Sequence, residues 1–375
     1  MKKVGIITIT HGTNYGNRLQ NFATQKVMED LGFNAETIYN FYGNLSNKEL
    51  IYRKFKKVIK YIFLSYLNLI NKFISIKNKK WYKLYAKLKR NQTFTKFNSK
   101  YIKFSKFQTS GTKIPLELNS NYDYFVCGSD QIWNPYHSQS ANLYFLTFTD
   151  YGKSIAFSPS LGVNDFPNKM KQSYIKWLSQ IKYLSVREKA GADIINQLTG
   201  RNVEVLVDPT LLLDKNEWLE ISRKALCKPK NKYILVYFLG NKEKNYINRI
   251  KNIAQKNNMG IFNLLDINDV EKYSIDPSEF IDLIKDASLV CTDSFHGTVF
   301  SIIMKVPFIV FERKSKEVSM NSRIETLLSL FNLNSRLDKN VTSDKQIFNV
   351  NYENVDSILK IEKLKSIQYL KDAIM

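Results

Sequence analysis

Residues 287–311, ASLVCTDSFHGTVFSIIMKVPFIVF, run without a break from an apolar strand-like stretch through a polar junction into a helix-length apolar segment and a second strand-like stretch. A strand, a crossover helix and a second strand in that order build a parallel sheet, whose buried strands read as continuous apolar runs. The alternation recurs along the chain. Strands are expected near 3–10, 35–41, 122–128, 154–159, 183–187 and 203–207, with helices near 17–31, 165–180 and 189–198. A second series follows, with strands near 233–239, 260–265, 288–292 and 307–311 and helices near 243–257, 277–286 and 297–305. The pattern predicts an α/β fold of two nucleotide-fold-like units, 1–227 and 228–375. Between them lie Asp208-Pro209, a helix over 214–226 and the polar KPKNK at 228–232. The last thirty residues read as helical and are expected to pack back on the first unit. A chain of 375 residues with 44% hydrophobic composition suits two ordinary cores better than one oversized core.

Charge is concentrated rather than spread. Between Lys48 and Lys106 stand eighteen Lys/Arg and one carboxylate, Glu49, so this segment supplies +17 of the formal +22. Within an expected insertion at about 44–110, Ile51, Phe55, Val58, Ile59, Ile62, Tyr66, Leu69, Ile70 and Phe73 share one face of a helix, with lysines crowding its first turns. A basic amphipathic helix of this kind suits an anionic membrane surface; the alternative is an apolar stripe packed on the protein with solvated lysines. A basic nucleic-acid-binding protein is disfavoured, because the charge sits in one segment and no nucleic-acid-binding module is visible. Three cysteines, 127, 227 and 291, lack metal-ligand spacing and fit a reduced, cytoplasmic setting, peripheral on the inner membrane face if the basic helix binds lipid. The opening MKKVGIITIT is too short for a signal-peptide core and reads as a first strand, and the apolar run 61–70 is too short to span a bilayer.

In parallel α/β folds ligands bind where strands end and helices begin, which makes the junctions the candidate sites. At Thr292-Asp293-Ser294-Phe295-His296-Gly297-Thr298 a carboxylate, a hydroxyl and an imidazole lie within one turn, a mixture suited to proton transfer. Gly297 is expected to let a ligand approach the backbone, and the N–H groups of Gly297 and Thr298 to favour phosphate or carboxylate. The alternative is a capping Ser294 and a buried, satisfied histidine. The loop from His11 to Gln20 lacks a dinucleotide fingerprint; its Asn14, Asn17 and Gln20 suit a hydroxyl-rich ligand, or form a cap and turn. Ser129, Asp130 and Trp133 in GSDQIWN combine groups that bond sugar hydroxyls with a ring for an apolar sugar face, unless Trp133 is core. Arg187 ends a strand and either binds an anion in bidentate fashion or pairs with Glu188 or Asp208. Arg323 is a weaker anion-binding candidate, and His137 reads as surface. P-loop, H-E-x-x-H, Cys-x-x-Cys and Gly-x-Ser-x-Gly motifs are absent, so metal and serine-hydrolase chemistry lack support.

Taken in order, N-Y-G-x-x-L-Q, Y-D-x-x-x-x-G-S-D-Q-I-W-N, S-V-R-E-K, D-P-T-L-L-L and T-D-S-F-H-G resemble the polysaccharide pyruvyl transferase family over nearly the whole chain outside the basic segment. The resemblance implies a GT-B-like fold, two Rossmann-like domains facing a cleft. It also implies transfer of the carboxyvinyl unit of phosphoenolpyruvate to two hydroxyls of a glycan or lipid-linked glycan, forming a pyruvate ketal. Phosphoenolpyruvate is then a co-substrate, with no separate cofactor and no metal. His296 matches the motif histidine and is the expected acid/base, with Asp293 and Asp130 as accompanying carboxylates. Arg187 matches an anion-binding arginine, and the donor set is completed by Ser294, Gly297, Thr298 and Arg323. Asn14, Asn17, Gln20, Ser129 and Trp133 are left for the acceptor. One position departs: where family members carry R-x-H-G, this chain has Ser294-Phe295-His296-Gly297. Either Arg323, Arg313 or backbone N–H groups take the anion, or donor or acceptor differs. The competing enzyme reading is a GT-B glycosyltransferase using a sugar nucleotide.

Overall fold

The computed structural model describes residues 1–41, 79–110, 113–136, 141–313 and 322–374. The expected amphipathic helix over 51–73 and His137 lie outside these residues. The first half opens with β1 (Lys3–Ile7), α1 (Tyr15–Asp30) and β2 (Asn34–Phe41), and continues with α2 (Lys79–Tyr101), β3 (Phe104–Ser110), β4 (Tyr124–Asp130) and β5 (Ser154–Pro159). These strands form one parallel sheet in the order β3-β2-β1-β4-β5. β6 (Ser185–Val186) and β7 (Glu204–Val205) pair with each other, and an Ile155–Tyr183 bridge attaches them to β5. The direction of strand succession reverses between β1 and β4.

The second half carries β8 (Tyr233–Tyr237), β9 (Gly260–Asn263), α3 (Pro277–Lys285), β10 (Leu289–Thr292), α4 (Phe295–Met304) and β11 (Phe308–Val310), followed by α5 (Ser322–Leu330) and α6 (Val355–Ile374). Its parallel sheet runs β11-β10-β8-β9, so succession reverses between β8 and β10. Each half is Rossmann-like, and the two reversal points face one another across a cleft, a GT-B-like arrangement.

One segment differs from expectation. Phe104–Ser110, placed by sequence within an insertion, is the outer strand of the first sheet, with Thr37 opposite Phe104 and Phe41 opposite Ser110. Ser105, Phe107 and Thr109 turn inward and Lys106 and Gln108 outward, the alternation of an edge strand that keeps polar groups toward water.

The halves share packing rather than merely touching. A single buried cluster includes Val4, Leu19 and Val126 from the first half and Leu235, Phe280 and Val299 from the second. The Tyr15 ring stacks on Phe280 at 4.5 Å and its hydroxyl donates to the Ile275 carbonyl at 3.1 Å. α6 returns to the first half, where Tyr369 donates to the Ala156 carbonyl at 2.8 Å and Tyr124 to the Ile374 carbonyl at 2.9 Å. Among the described residues no helix is long and apolar enough to cross a membrane.

Candidate active site

Three strand ends build the site. After β1, Asn14 caps α1 by accepting from the Asn17 N–H at 3.3 Å, and Arg18 holds the loop by donating to the carbonyls of Ile9, Thr10 and Gly12 at 3.0, 2.8 and 2.8 Å. At the end of β4, Asp130 adopts φ 71°, a left-handed conformation costly for a non-glycine residue, and its carboxylate accepts from the Gln131 N–H at 2.8 Å. After β10, Ser294 caps α4 by accepting from the Gly297 N–H at 3.3 Å, which fixes His296 in the first helical turn.

These ends enclose a cleft of about 330 Å3 lined from the first domain by His11, Asn14, Asn17, Asp130, Gln131 and Tyr144, and from the second by Ser294, Phe295, His296, Arg313 and Arg323. Burial, then Arg18, lowers the His11 imidazole to about 4, so it is neutral at physiological pH. Arg323 is pulled down to about 10, first by burial and then by the nearby Arg187, against the opposing pull of Asp130 and Glu188; it remains a cation at neutral pH. With the Gln131 amide turned to satisfy both groups, Arg323 Nη1 donates to its oxygen at 2.9 Å. Arg313 is anchored by Asp293, donating through Nε to Oδ2 at 3.2 Å and through Nη2 to the backbone carbonyl at 2.9 Å. Asp293 also accepts from the N–H groups of Leu239 at 2.7 Å and Gly240 at 2.8 Å.

Beside the cleft lies a buried polar hub. Asp208 Oδ2 accepts from Ser129 Oγ at 2.5 Å and from Arg187 Nη1 at 2.6 Å, while His296 Nε2 stands 3.5 Å away. Oδ1 accepts from the Thr210 N–H at 3.0 Å and hydroxyl at 2.6 Å. Burial alone raises the Asp208 carboxyl, but His296, Arg187 and Ser129 together hold it well below the usual carboxylate range. Arg187 packs its guanidinium on the Phe295 ring at 4.3 Å, and its Nε and Nη2, with Nε of Arg323, are buried without a hydrogen-bond acceptor.

Several expected roles change. Trp133 offers no face to the cleft: it is fully buried, stacked on Phe145 at 5.0 Å, and its indole donates to the Tyr144 carbonyl at 3.0 Å. Gln20 is buried and donates to Thr8 Oγ1 at 2.7 Å, and Ser129 is committed to Asp208, so Asn14 and Asn17 are the expected acceptor residues that reach the cleft. Gly297 does not admit a ligand. A methyl group there lies 2.5 Å from Thr292 Oγ1, so its role is close packing of α4 on β10. Its N–H is taken by Ser294 Oγ, and the Thr298 N–H by the Ser294 carbonyl at 3.0 Å. Neither is free for an anion. Both Asp293 oxygens are occupied, which makes it the anchor of Arg313 rather than a proton carrier facing the cleft. Arg187 lines a smaller cavity of about 230 Å3 behind Phe295, not the main cleft.

Two contributors were unassigned in the sequence. Asp208 was visible only as a candidate partner of Arg187. Gly16 was visible only as a motif letter, yet a methyl group there stands 1.9 Å from His296 Nδ1, so the imidazole of the second domain rests directly on this glycine of the first.

A model of the polysaccharide pyruvyl transferase family matches residues 14–315. No curated protein matches the sequence. Among solved structures, the chain is similar to the UDP-GlcNAc 2-epimerase of Neisseria meningitidis at 10% identity and TM-score 0.46, covering 97% of this chain and 100% of that one. It is likewise similar to the UDP-GlcNAc 2-epimerase of Methanocaldococcus jannaschii at 13% identity and TM-score 0.42, covering 96% and 99%. The glycosyltransferase SnogD from Streptomyces nogalater follows at 10% identity and TM-score 0.33, covering 100% and 95%.

Proposed function

Because the chain belongs to the polysaccharide pyruvyl transferase family, we propose that it moves the carboxyvinyl unit of phosphoenolpyruvate onto two hydroxyls of a glycan, releasing phosphate and leaving a pyruvate ketal. The observation that carries this reading is one cleft lined by an imidazole, His296, and two guanidinium groups, Arg313 and Arg323, with carboxamides opposite them.

The chemistry asks for these groups. A proton from His296 forms a C–H bond with the methylene carbon of the donor at the expense of the double bond, leaving a cationic centre at the adjacent carbon. One sugar hydroxyl adds there and gives up its proton; the carbon–oxygen bond to phosphate breaks, and the second hydroxyl closes the ketal. Of the two hydroxyl protons, one replaces that spent on the new methyl group and the other leaves with phosphate. Arg313 and Arg323 face the carboxylate and phosphate of the donor, in place of the arginine that Ser294 replaces. Asn14, Asn17 and Asp130 supply donors and acceptors for the sugar hydroxyls.

The test is phosphate release from phosphoenolpyruvate in the presence of candidate glycans, with ligand-observed NMR of phosphoenolpyruvate against nucleotide sugars. His296→Ala is expected to slow release by about 10²–10⁴-fold, the usual worth of a general acid. Arg323→Ala is expected to weaken phosphoenolpyruvate binding. Saturable binding of a nucleotide sugar without any of phosphoenolpyruvate overturns the assignment.

A further inference from the structure

We propose that Asp208 is the positioning residue of the acid/base histidine: a carboxylate of the first domain that holds the imidazole of the second by its Nε2 edge. The inference rests on the reading of His296 as the proton donor.

Three observations carry it. Asp208 is immobilised, its two oxygens accepting from Ser129, Arg187 and the N–H and hydroxyl of Thr210, and it is fully buried. His296 Nε2 is buried 3.5 Å from Oδ2 without a hydrogen-bond partner of its own, so Asp208 is the group that faces this edge of the ring. The opposite edge of the ring rests on Gly16, where a methyl group would stand 1.9 Å from Nδ1, so the imidazole is held between Asp208 and the backbone of α1.

The surrounding charges give the carboxylate its purpose. Arg187 approaches beneath Phe295, Arg313 and Arg323 line the cleft, Asp130 faces Arg187 at 3.7 Å, and Asp293 is engaged by Arg313. Three guanidinium groups on one side oppose a protonated imidazole, and Asp208 is the carboxylate within ion-pair distance of it among the described residues. When His296 gives its proton to the methylene carbon, the imidazole becomes neutral and Asp208 keeps Arg187 as counter-ion. The transfer leaves no buried charge unpaired.

The chain has three histidines, so imidazole resonances in the full-length protein are few enough to follow singly. Asp208→Asn and Asp208→Glu are compared with wild type by thermal melting, by kcat and KM for phosphoenolpyruvate, and by NMR titration of the imidazoles, at a temperature where each is folded. The Asn variant is expected to lose about 100-fold in kcat with KM nearly unchanged, and its His296 titration to depart from that of wild type while that of His11 stays in place. The Glu variant recovers part of both. A folded Asn variant with wild-type kcat and an unmoved His296 titration overturns the proposal. Should the Asn variant not fold, the Glu variant decides, an unmoved His296 titration again being the overturning result. Absence of phosphoenolpyruvate turnover by wild type counts against the pyruvyl-transfer reading, whereas the titration still reports whether Asp208 holds the ring.

Discussion

Gly16 sits in the first turn of α1, at the place where the imidazole of the other domain arrives. With hydrogen in place of a side chain, the helix backbone becomes a wall against one edge of His296, while Asp208 faces the other. A Cβ at 1.9 Å from Nδ1 cannot be absorbed by small adjustments, because Asp208 blocks retreat on the far side and α4 anchors the ring from behind. Gly16→Ala is therefore expected to keep the fold, with a loss of about 1–3 kcal/mol from local overpacking. It should also lower kcat sharply, since a small misplacement of a catalytic group costs about 10²-fold. Melting and turnover measured on the same preparation separate the two effects. A folded variant of normal activity would show that the ring tolerates another position. No spacing rule reveals such a residue, because its partner lies 280 positions away. The same holds for Asp208, whose partners at 129, 187 and 296 are brought together only by the tertiary fold.

Strands that lie in the middle of a parallel sheet announce themselves, and those at its edge do not. Tyr233–Tyr237 and Leu289–Thr292 are buried at every position, so their uninterrupted apolar runs are legible as strands in the sequence alone. Phe104–Ser110 alternates, carries a lysine outward and follows a stretch so basic that charge masks its pairing. α2 was hidden for the same reason, although its role depends on one of those charges. Arg90 is buried and donates to Tyr15 Oη at 2.8 Å, the Thr13 carbonyl at 2.7 Å and the Tyr273 carbonyl at 2.6 Å, with its guanidinium over the Tyr15 and Phe94 rings at 4.7 Å each. One side chain thus ties α2 to the loop before α1 and to the second domain. Arg90→Ala leaves two carbonyls without their donor, and the cost is expected to be about 1–3 kcal/mol, read as a lower melting temperature. Arg90→Lys should recover little, because a single ammonium cannot reproduce the fork. An Ala variant that melts with wild type would mean that the apolar neighbours alone dock the helix. At strand ends the situation is mixed: sequence located the junctions, but not which side chains turn toward the cleft. Trp133 and Gln20 turn inward to the core while Asn14 and Asn17 do not.

The two domains meet through a shared apolar cluster and, at its rim, through the ionised hub at Asp208, which makes the cohesion of the whole molecule sensitive to acid. In the folded protein the Asp208 carboxyl is held well below its ordinary range by His296, Arg187 and Ser129 against the cost of burial, whereas in the unfolded chain it titrates near ~3.9. A depressed folded value means that the unfolded chain binds the proton more readily. The stability contributed by ionised Asp208 is thus fully present above about pH 4–5 and is lost as pH falls below the unfolded value toward the folded one. Removing the charge while keeping the shape takes the nearer carboxylate from buried Arg187 and leaves Asp130 at 3.7 Å, a loss of about 3 kcal/mol at neutral pH. Wild type and Asp208→Asn should accordingly differ most in melting temperature at neutral pH and converge as the solution is acidified, with convergence beginning below about pH 4. Comparing the pair cancels the other carboxylates, which titrate alike in both. A gap that stays constant down to the acid limit would mean that Asp208 and Arg187 do not form an ionised pair, and that the domains are held at this rim by packing alone.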